Sequence, residues 1–389
     1  MAEPLTRDGL ARFGEVAAGH VGDDKVPGLV ALVARGEQAH VEALGSLSIG
    51  GPPVRRDSLF RIASTTKPIT GAATLALVRE GLLGLDEPVD RWLPELARRR
   101  VLRRMDGPLD DTVPAERAIT VRDLLTFTFG FGMLMEMFMA PEPWPVVAAA
   151  NELRLATLGP PSPAVQPDPD TWIAALGSLP LLAQPGQRWL YNTGASVLGV
   201  LLARAAGVPV AEVLRTRIFD PLGMRDTAFW AADTARLATA YTPTADGLQV
   251  WDPPHGQWSR PPAFGDGAAG LVSTADDLLA FARMLLRGGA PVLSAEAVTQ
   301  MTRDQLTPEQ KARSGPGFLD GRGWGFCQSV VTEGPYAGAF GWDGGLGTSW
   351  LVDPGRELTV LVLTQRLFET PQAPAVHRDL QAAALAALG

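Results

Sequence analysis

Strand patterns stand at both ends of this chain, and the stretch between them carries helix patterns and prolines. PGLVALVARGEQAHVEALG, residues 27–45, predicts two strands that form a hairpin around Gly36. TSWLV, the turn DPGR and LTVLVLTQ, within residues 348–365, predict a second hairpin. We therefore predict an α/β fold of the α+β sandwich type, in which both chain ends build an antiparallel sheet that helices flank.

The same pattern predicts how the chain divides into domains. We expect residues 1–85 and 265–389 to form the α/β domain, and residues 86–264 to form an inserted, mainly helical domain. Prolines interrupt residues 130–187, so loops or a lid are expected there.

Local signals predict where several helices begin. Thr120 with Asp123 and Ser273 with Asp276 have the spacing of capping boxes. SLFRIAST predicts a short strand, and KPITGAATLALVREGLL has helical spacing. Ser64 is therefore expected at or just before a helix N-terminus.

Composition excludes several classes of protein. The chain has 34 basic and 42 acidic residues, a net charge of −8, which argues against nucleic acid or anionic membrane as a partner. No cofactor or metal is expected, because Cys327 is the only cysteine and the four histidines are scattered, at His20, His40, His255 and His377. The N-terminus lacks the apolar core of a signal peptide, so we expect a cytoplasmic protein, or an exported one already trimmed.

Ser64 and Lys67 are the first candidates for catalysis. Residues three apart on a helix lie on one face, so the Lys67 amine is expected to reach the Ser64 hydroxyl. A serine nucleophile with a lysine base needs this geometry. A motif as short as SxxK also arises by chance, so a second signal is required.

Tyr191 supplies a second signal. A lysine base must lose about three pH units from its usual pKa, through burial, a neighbouring cation or a partner that shares its proton. Tyr191, in AQPGQRWLYNTG, is expected at a loop-to-helix junction, where side chains often face a cleft. A tyrosine ring packed in the core is the alternative.

Glycines cluster in AFGWDGGLGTSWLVDP, immediately before a predicted strand. Glycine permits close approach of the backbone to a ligand, and a backbone N–H here would complete an oxyanion hole with the N–H of Ser64. A glycine-rich hairpin loop is the alternative.

Together, STTK at 64–67, YNT at 191–193 and WDGG at 342–345 resemble the three signature elements of the serine β-lactamase and penicillin-binding-protein superfamily. The likeness is greatest to its class C branch, including the family VIII carboxylesterases. The resemblance implies that Ser64 is the nucleophile, Lys67 its base and Tyr191 the residue that shares and relays the proton. It also implies an oxyanion hole formed by the N–H groups of Ser64 and Gly345.

Two departures from the family pattern bear on the substrate. Thr193 stands where the family usually has asparagine, and Asn192 lies one place early. Trp342 stands where the family usually has lysine or histidine, cations suited to a substrate carboxylate. This tryptophan resembles the esterase branch, although hairpin packing would also explain it.

The substrate-binding residues expected from these motifs are Trp342, Asp343, Gly344 and Thr193, together with Phe131 and Met133. The last two belong to FGFGMLMEMFMA, whose soft methionines suit a permissive apolar pocket and suit a domain core equally well.

The sequence therefore predicts a serine hydrolase that cleaves carboxylic esters with small or medium acyl groups through a Ser64 acyl-enzyme. Acyl transfer, D-amino-acid peptide or amide hydrolysis and weak β-lactamase activity stay open, since they share the first step. A catalytically silent binding or scaffold protein is the alternative from another class. The expected partner is a small-molecule ester or amide, and the oligomeric state is open.

Overall fold

The computed structural model describes residues 4–157 and 159–388. Its strands are β1 (Gly28–Arg35), β2 (Gln38–Gly45), β3 (Phe60–Arg61), β4 (Arg100–Leu102), β5 (Thr112–Pro114), β6 (Ala240–Thr244), β7 (Gly247–Asp252), β8 (Val272–Ser273), β9 (Arg322–Trp324), β10 (Ser329–Val331), β11 (Phe340–Gly344), β12 (Thr348–Asp353) and β13 (Leu358–Thr364). Seven of them form an antiparallel sheet in the order β2-β1-β13-β12-β11-β10-β9. The antiparallel sheet expected from both chain ends is confirmed.

Helices occupy both faces of this sheet and most of the middle of the chain. They are α1 (Arg7–Gly19), α2 (Thr66–Arg79), α3 (Val121–Leu125), α4 (Met135–Met139), α5 (Pro145–Glu152), α6 (Pro169–Ser178), α7 (Thr193–Ala206), α8 (Val210–Leu214), α9 (Asp220–Leu222), α10 (Ala275–Leu286), α11 (Ala295–Thr302), α12 (Pro308–Ala312) and α13 (Ala375–Ala386). A π-helical segment joins α8 to α9.

The apolar runs of β1, β12 and β13 reflect strands that are buried on both faces. On one face of β1, Leu29 packs in a core with Phe13 of α1 and Leu380 of α13. On the other face, Leu32 belongs to the main core, with Phe281 of α10. Alternate residues of a strand point to opposite faces, so a strand covered on both sides needs an unbroken apolar sequence.

One predicted helix start is wrong by one residue. The N-cap of α10 is Thr274, whose side chain accepts from the N–H of Asp277, and not Ser273. Ser273 ends β8, and its hydroxyl pairs with that of Thr227. The capping box of Thr120 with Asp123 is confirmed at the start of α3.

The proline-rich middle is less irregular than its sequence suggested. Short helices α4, α5 and α6 lie within residues 130–187. Pro145 and Pro169 stand in the first turns of α5 and α6, where a missing N–H breaks no helical hydrogen bond. These prolines therefore start helices rather than prevent them.

The division into two domains stays a prediction. Ile69 of α2 and Leu198 of α7 belong to one continuous cluster of buried apolar side chains, although they lie on opposite sides of the expected boundary. Within the described residues no single helix is long and apolar enough to cross a bilayer, and α7 passes that test only jointly with Val210–Leu222, as a pair bent by 82°.

A buried ion pair anchors the strand that leads to Ser64. Arg61 of β3 donates from Nε to Asp252 Oδ2 of β7 at 2.9 Å, and both side chains are at most 3% exposed. The same guanidinium donates to the carbonyl of Pro253 at 2.9 Å. Because a buried guanidinium without its counter-ion is costly, this contact fixes β3 against β7.

We therefore expect Asp252→Ala to lower the free energy of unfolding by about 3–5 kcal/mol, since it leaves the Arg61 charge buried and unpaired. Urea denaturation followed by circular dichroism would measure the change. Asp246→Ala, which removes an exposed carboxylate from the turn between β6 and β7, is the matched control and should change the value by less than about 0.5 kcal/mol. Equal effects of the two substitutions would contradict the anchoring role.

Candidate active site

Ser64 lies in a tight turn between β3 and α2. The turn is a 3-10 segment, Ala63–Thr65, and α2 begins at Thr66. Ala63 has φ of +44°, a left-handed conformation that is uncommon for a residue with a side chain and persists only where neighbours enforce it. Thr348 of β12 provides such enforcement, because its hydroxyl donates to the carbonyl of Ile62 at 2.9 Å.

Gly344 allows the sheet to come close to this turn. A Cβ atom at Gly344 would lie 2.2 Å from the carbonyl oxygen of Ile62, so no other residue fits without moving the backbone. Gly344 ends β11, and Gly345 follows it directly. This close approach explains the glycine pair and brings Gly345 and Ser64 to the same cavity.

Lys67 is completely buried beneath Ser64. Its Nζ donates to Ser64 Oγ at 2.8 Å and to the carbonyl oxygen of Ala268 at 2.9 Å. Burial lowers the pKa of Lys67 to about 7, although a negative charge on Asp266 acts in the opposite direction. At neutral pH, a large fraction of this amine is therefore free to take the serine proton along the 2.8 Å contact.

Tyr191 is the second side chain that contacts Ser64 Oγ. Its hydroxyl donates to Ser64 Oγ at 2.9 Å and accepts from Trp342 Nε1 at 2.6 Å. Burial raises the pKa of Tyr191 above its usual range, while its hydrogen bonds to Ser64 and Trp342 lower it. The hydroxyl is thus protonated in the free site and acts as a donor to Ser64 Oγ.

Aromatic rings hold the Tyr191 side chain in place. Its ring stacks on Phe318 at 4.7 Å between centroids and on Trp189 at 5.6 Å. Lys67 Nζ lies 4.7 Å from the centroid of the same ring, a cation–π distance for the protonated amine. The tyrosine is therefore both a core residue and a hydrogen-bond partner of Ser64. The two positions predicted for it, in the core and facing a cleft, are both correct.

A cavity of 240 Å³ opens over Ser64. Its lining includes Ser64, Tyr191, Trp342, Asp343, Gly345 and Met133 from the residues singled out in the sequence. Thr193, Phe131 and Gly344 are not among the described residues that line it. All three are buried, and Gly344 lies against the turn that holds Ser64.

The start of α7 explains why the side chain of Thr193 does not line the cavity. Thr193 is the first helical residue, and its side chain is completely buried with no hydrogen-bond partner among the described residues. Asn192 lies on the cavity wall instead, with φ of +81°, a left-handed value. The amide one place early therefore lines the cavity, whereas the side chain of residue 193 does not.

The methionine-rich segment serves both as core and as pocket wall. Met133 lines the cavity and Met137 is buried. Phe138 is 46% exposed and also lines the cavity, whereas Met139 is 79% exposed. The helical period of α4 distributes these side chains over several directions, although the sequence alternates with a period of two.

Sequence reasoning missed several residues of this cavity. Besides Asn192 they include Asp266, Phe318, Leu367 and Phe368. They come from loops distant along the chain and form no local motif. The single available signal was an apolar residue in a glycine-rich loop, as in SGPGFLDG around Phe318. Among the described residues, no group of three His, Cys, Asp or Glu side chains could hold a metal ion.

Comparison with known proteins gives a family match over nearly the whole chain. The family model described as Beta-lactamase matches residues 13–385. Esterase EstB of Burkholderia gladioli is 34% identical over 376 residues, which cover 90% of this chain and 88% of that protein. An uncharacterized protein of Mycobacterium tuberculosis is 42% identical over 335 residues, 81% of this chain and 79% of its own length.

Solved structures share the fold. EstCE1, described as a hydrolase with promiscuous acyltransferase activity, superposes with a TM-score of 0.81 at 26% identity, covering 97% of this chain and 98% of that one.

The indole of Trp342 is expected to contribute to turnover through its hydrogen bond to Tyr191. Trp342→Phe keeps an aromatic wall but removes the N–H donor, which is worth about 1 kcal/mol, so kcat/KM should fall roughly fivefold. Hydrolysis of a p-nitrophenyl ester would measure it. Trp350→Phe is the matched control: Trp350 faces Trp342 on β12, and its indole N–H has no partner among the described residues. Equal activities of the two variants would show that the bond has no catalytic effect.

Proposed function

We propose that this chain, which belongs to the beta-lactamase family and is a serine hydrolase, cleaves carboxylic esters with small or medium acyl groups through an acyl-enzyme on Ser64. The observation that carries the proposal is the hydrogen-bonded group of Ser64, Lys67 and Tyr191, of which Ser64 and Tyr191 line an aromatic cavity.

In the proposed acylation, neutral Lys67 takes the proton of Ser64 while Oγ attacks the ester carbonyl. The developing oxyanion is stabilised by the backbone N–H groups of Ser64 and Gly345, and one such donor is worth on the order of 10² to 10³ in rate. Tyr191 passes a proton to the leaving alkoxide as the C–O bond breaks, and the proton held on Lys67 replaces it. The products of this step are the alcohol and the acyl-enzyme.

Deacylation uses the same groups in reverse. A water molecule attacks the acyl carbonyl and gives its proton to Tyr191, which passes its own proton to neutral Lys67. The bond to Ser64 Oγ then breaks, and the proton returns to the serine. One ester and one water thus give one acid and one alcohol, and the site is restored.

The lining of the cavity is better suited to binding neutral esters than β-lactams. Its wall is aromatic, with Phe138, Phe318 and Trp342, and its 240 Å³ volume suits a small or medium acyl group. No lysine or arginine is among the described residues that line it, so a substrate carboxylate would find no cationic partner there. A β-lactam nucleus with its carboxylate is therefore expected to bind less well than a neutral ester.

Acyl transfer is the second candidate. A cavity with an apolar wall can hold an alcohol where water would otherwise enter, and EstCE1, a structural relative, is described as a hydrolase with promiscuous acyltransferase activity. A screen of alcohols and amines as acceptors, with product analysis, would separate transfer from hydrolysis.

We also propose that small-molecule esters or amides are the partners of this protein. The net charge of −8 disfavours nucleic acid and anionic membranes by repulsion. A cytoplasmic location is part of the same proposal, and cell fractionation would test it.

Ser64→Ala is expected to reduce hydrolysis of p-nitrophenyl butyrate by at least about 10³-fold, because the nucleophile is removed. Ser178→Ala, which removes an exposed serine from the end of α6, should leave the rate unchanged. Unchanged activity in Ser64→Ala would refute the proposal, and a catalytically silent protein would show no Ser64-dependent turnover at all. Nitrocefin turnover faster than ester turnover would reverse the substrate order.

The pH dependence follows from Lys67. Its pKa of about 7 means that the amine is protonated, and unable to act as a base, at lower pH. The kcat/KM for an ester should therefore fall about tenfold per pH unit below that value and level off above it. A profile of kcat/KM from pH 5 to 9 would measure this limb. A midpoint near pH 9 would contradict a lysine base that has lost its proton in a large fraction of molecules at neutral pH.

A further inference from the structure

Asp266 is a buried carboxylate on the wall of the active-site cavity that the mechanism above does not use. It is 6% exposed and lies in the loop before β8. Its Oδ1 accepts from Ser196 Oγ at 2.7 Å and from the N–H of Ala268 at 2.9 Å. Among the described residues, it forms no salt bridge with an arginine or lysine, and Lys67 is the cation that acts on it.

A single residue joins Asp266 to the base. The N–H of Ala268 donates to Asp266, and the carbonyl of the same residue accepts from Lys67 Nζ at 2.9 Å. The loop is fixed to α2 by a second contact, in which Thr70 Oγ1 donates to the carbonyl of Gly267 at 2.7 Å. The carboxylate thus shapes the turn that presents an acceptor to Lys67.

We propose that Asp266 is a positioning residue for Lys67, which it holds through the main chain of Ala268 while its negative charge sets the pH at which the site becomes active. This inference rests on Lys67 being the base of the proposed function. The carboxylate favours the ammonium form and counteracts burial, which favours the free amine.

The other groups that face Lys67 are Ser64, Tyr191 and Cys327. Burial raises the pKa of both Tyr191 and Cys327, so both are neutral near pH 7. Burial also raises the pKa of Asp266, while the hydrogen bonds from Ala268 and Ser196 and the charge of Lys67 lower it. Of these groups, Asp266 is the one whose ionised form raises the pKa of Lys67, since burial keeps the other two neutral.

Asp266→Asn tests the proposal, because the amide oxygen still accepts from Ser196 and Ala268 while the charge is removed. The readout is the second-order rate of Ser64 labelling by a fluorophosphonate between pH 5 and 9, which needs no ester substrate. The midpoint of the acidic limb should move down by about one pH unit. At pH values on the acidic limb, the labelling rate is compared as a fraction of each protein's own plateau rate. This fraction should be up to about tenfold higher in the variant than in wild type. An unchanged or raised midpoint would overturn the proposal.

Two further variants complete the test. Asp277→Asn removes another buried carboxylate, which bonds Thr227, and should leave the midpoint unchanged. Ser196→Ala removes a hydrogen bond that stabilises the Asp266 charge, so its midpoint should move in the same direction by less. Should Asp266→Asn fail to fold, an unchanged midpoint in folded Ser196→Ala would overturn the inference. Absence of labelling in wild type would refute the proposed function, whereas normal labelling with identical midpoints would refute this inference alone.

Discussion

The burial of Lys67 is the constraint on which the arrangement of the site depends. An ammonium group without water is unstable in a protein interior unless it loses its proton or finds partners. Lys67 does both in part, with a pKa of about 7, a carbonyl and a hydroxyl as hydrogen-bond partners and an aromatic ring at cation–π distance. The same desolvation that destabilises the charged lysine leaves a large fraction of it as the free amine at neutral pH, which is the form that the proposed acylation needs.

The sheet brings distant parts of the chain together around this buried lysine. Ser64 and Lys67 follow the N-terminal hairpin in the sequence, whereas Trp342 belongs to β11 and Gly345 directly follows that strand, close to the C-terminus. Pairing of β1 with β13 closes the chain on itself and sets β11 and β12 against the turn that holds Ser64. A sheet built from both chain ends is therefore the physical reason why motifs nearly 300 residues apart act in one cavity.

Sequence reasoning succeeded where local geometry determines position. The contact between Ser64 and Lys67 follows from helical spacing, and the hairpins follow from apolar runs between turn residues. It failed where position depends on packing. Thr193 turns inward because α7 begins there. Asp266 acts through the main chain of Ala268, and no side-chain pattern encodes a contact made by backbone.

The hydrogen bond from Trp342 to Tyr191 makes the proposed proton relay less sensitive to pH and salt than a charged partner would. An indole N–H carries no formal charge and does not titrate in the physiological range, unlike a lysine or histidine at the same place. Ionic strength screens contacts between charged groups far more than contacts between neutral ones. The partner of Tyr191 is therefore the same at every working pH and salt concentration, and the site responds to acidity through its buried charges alone.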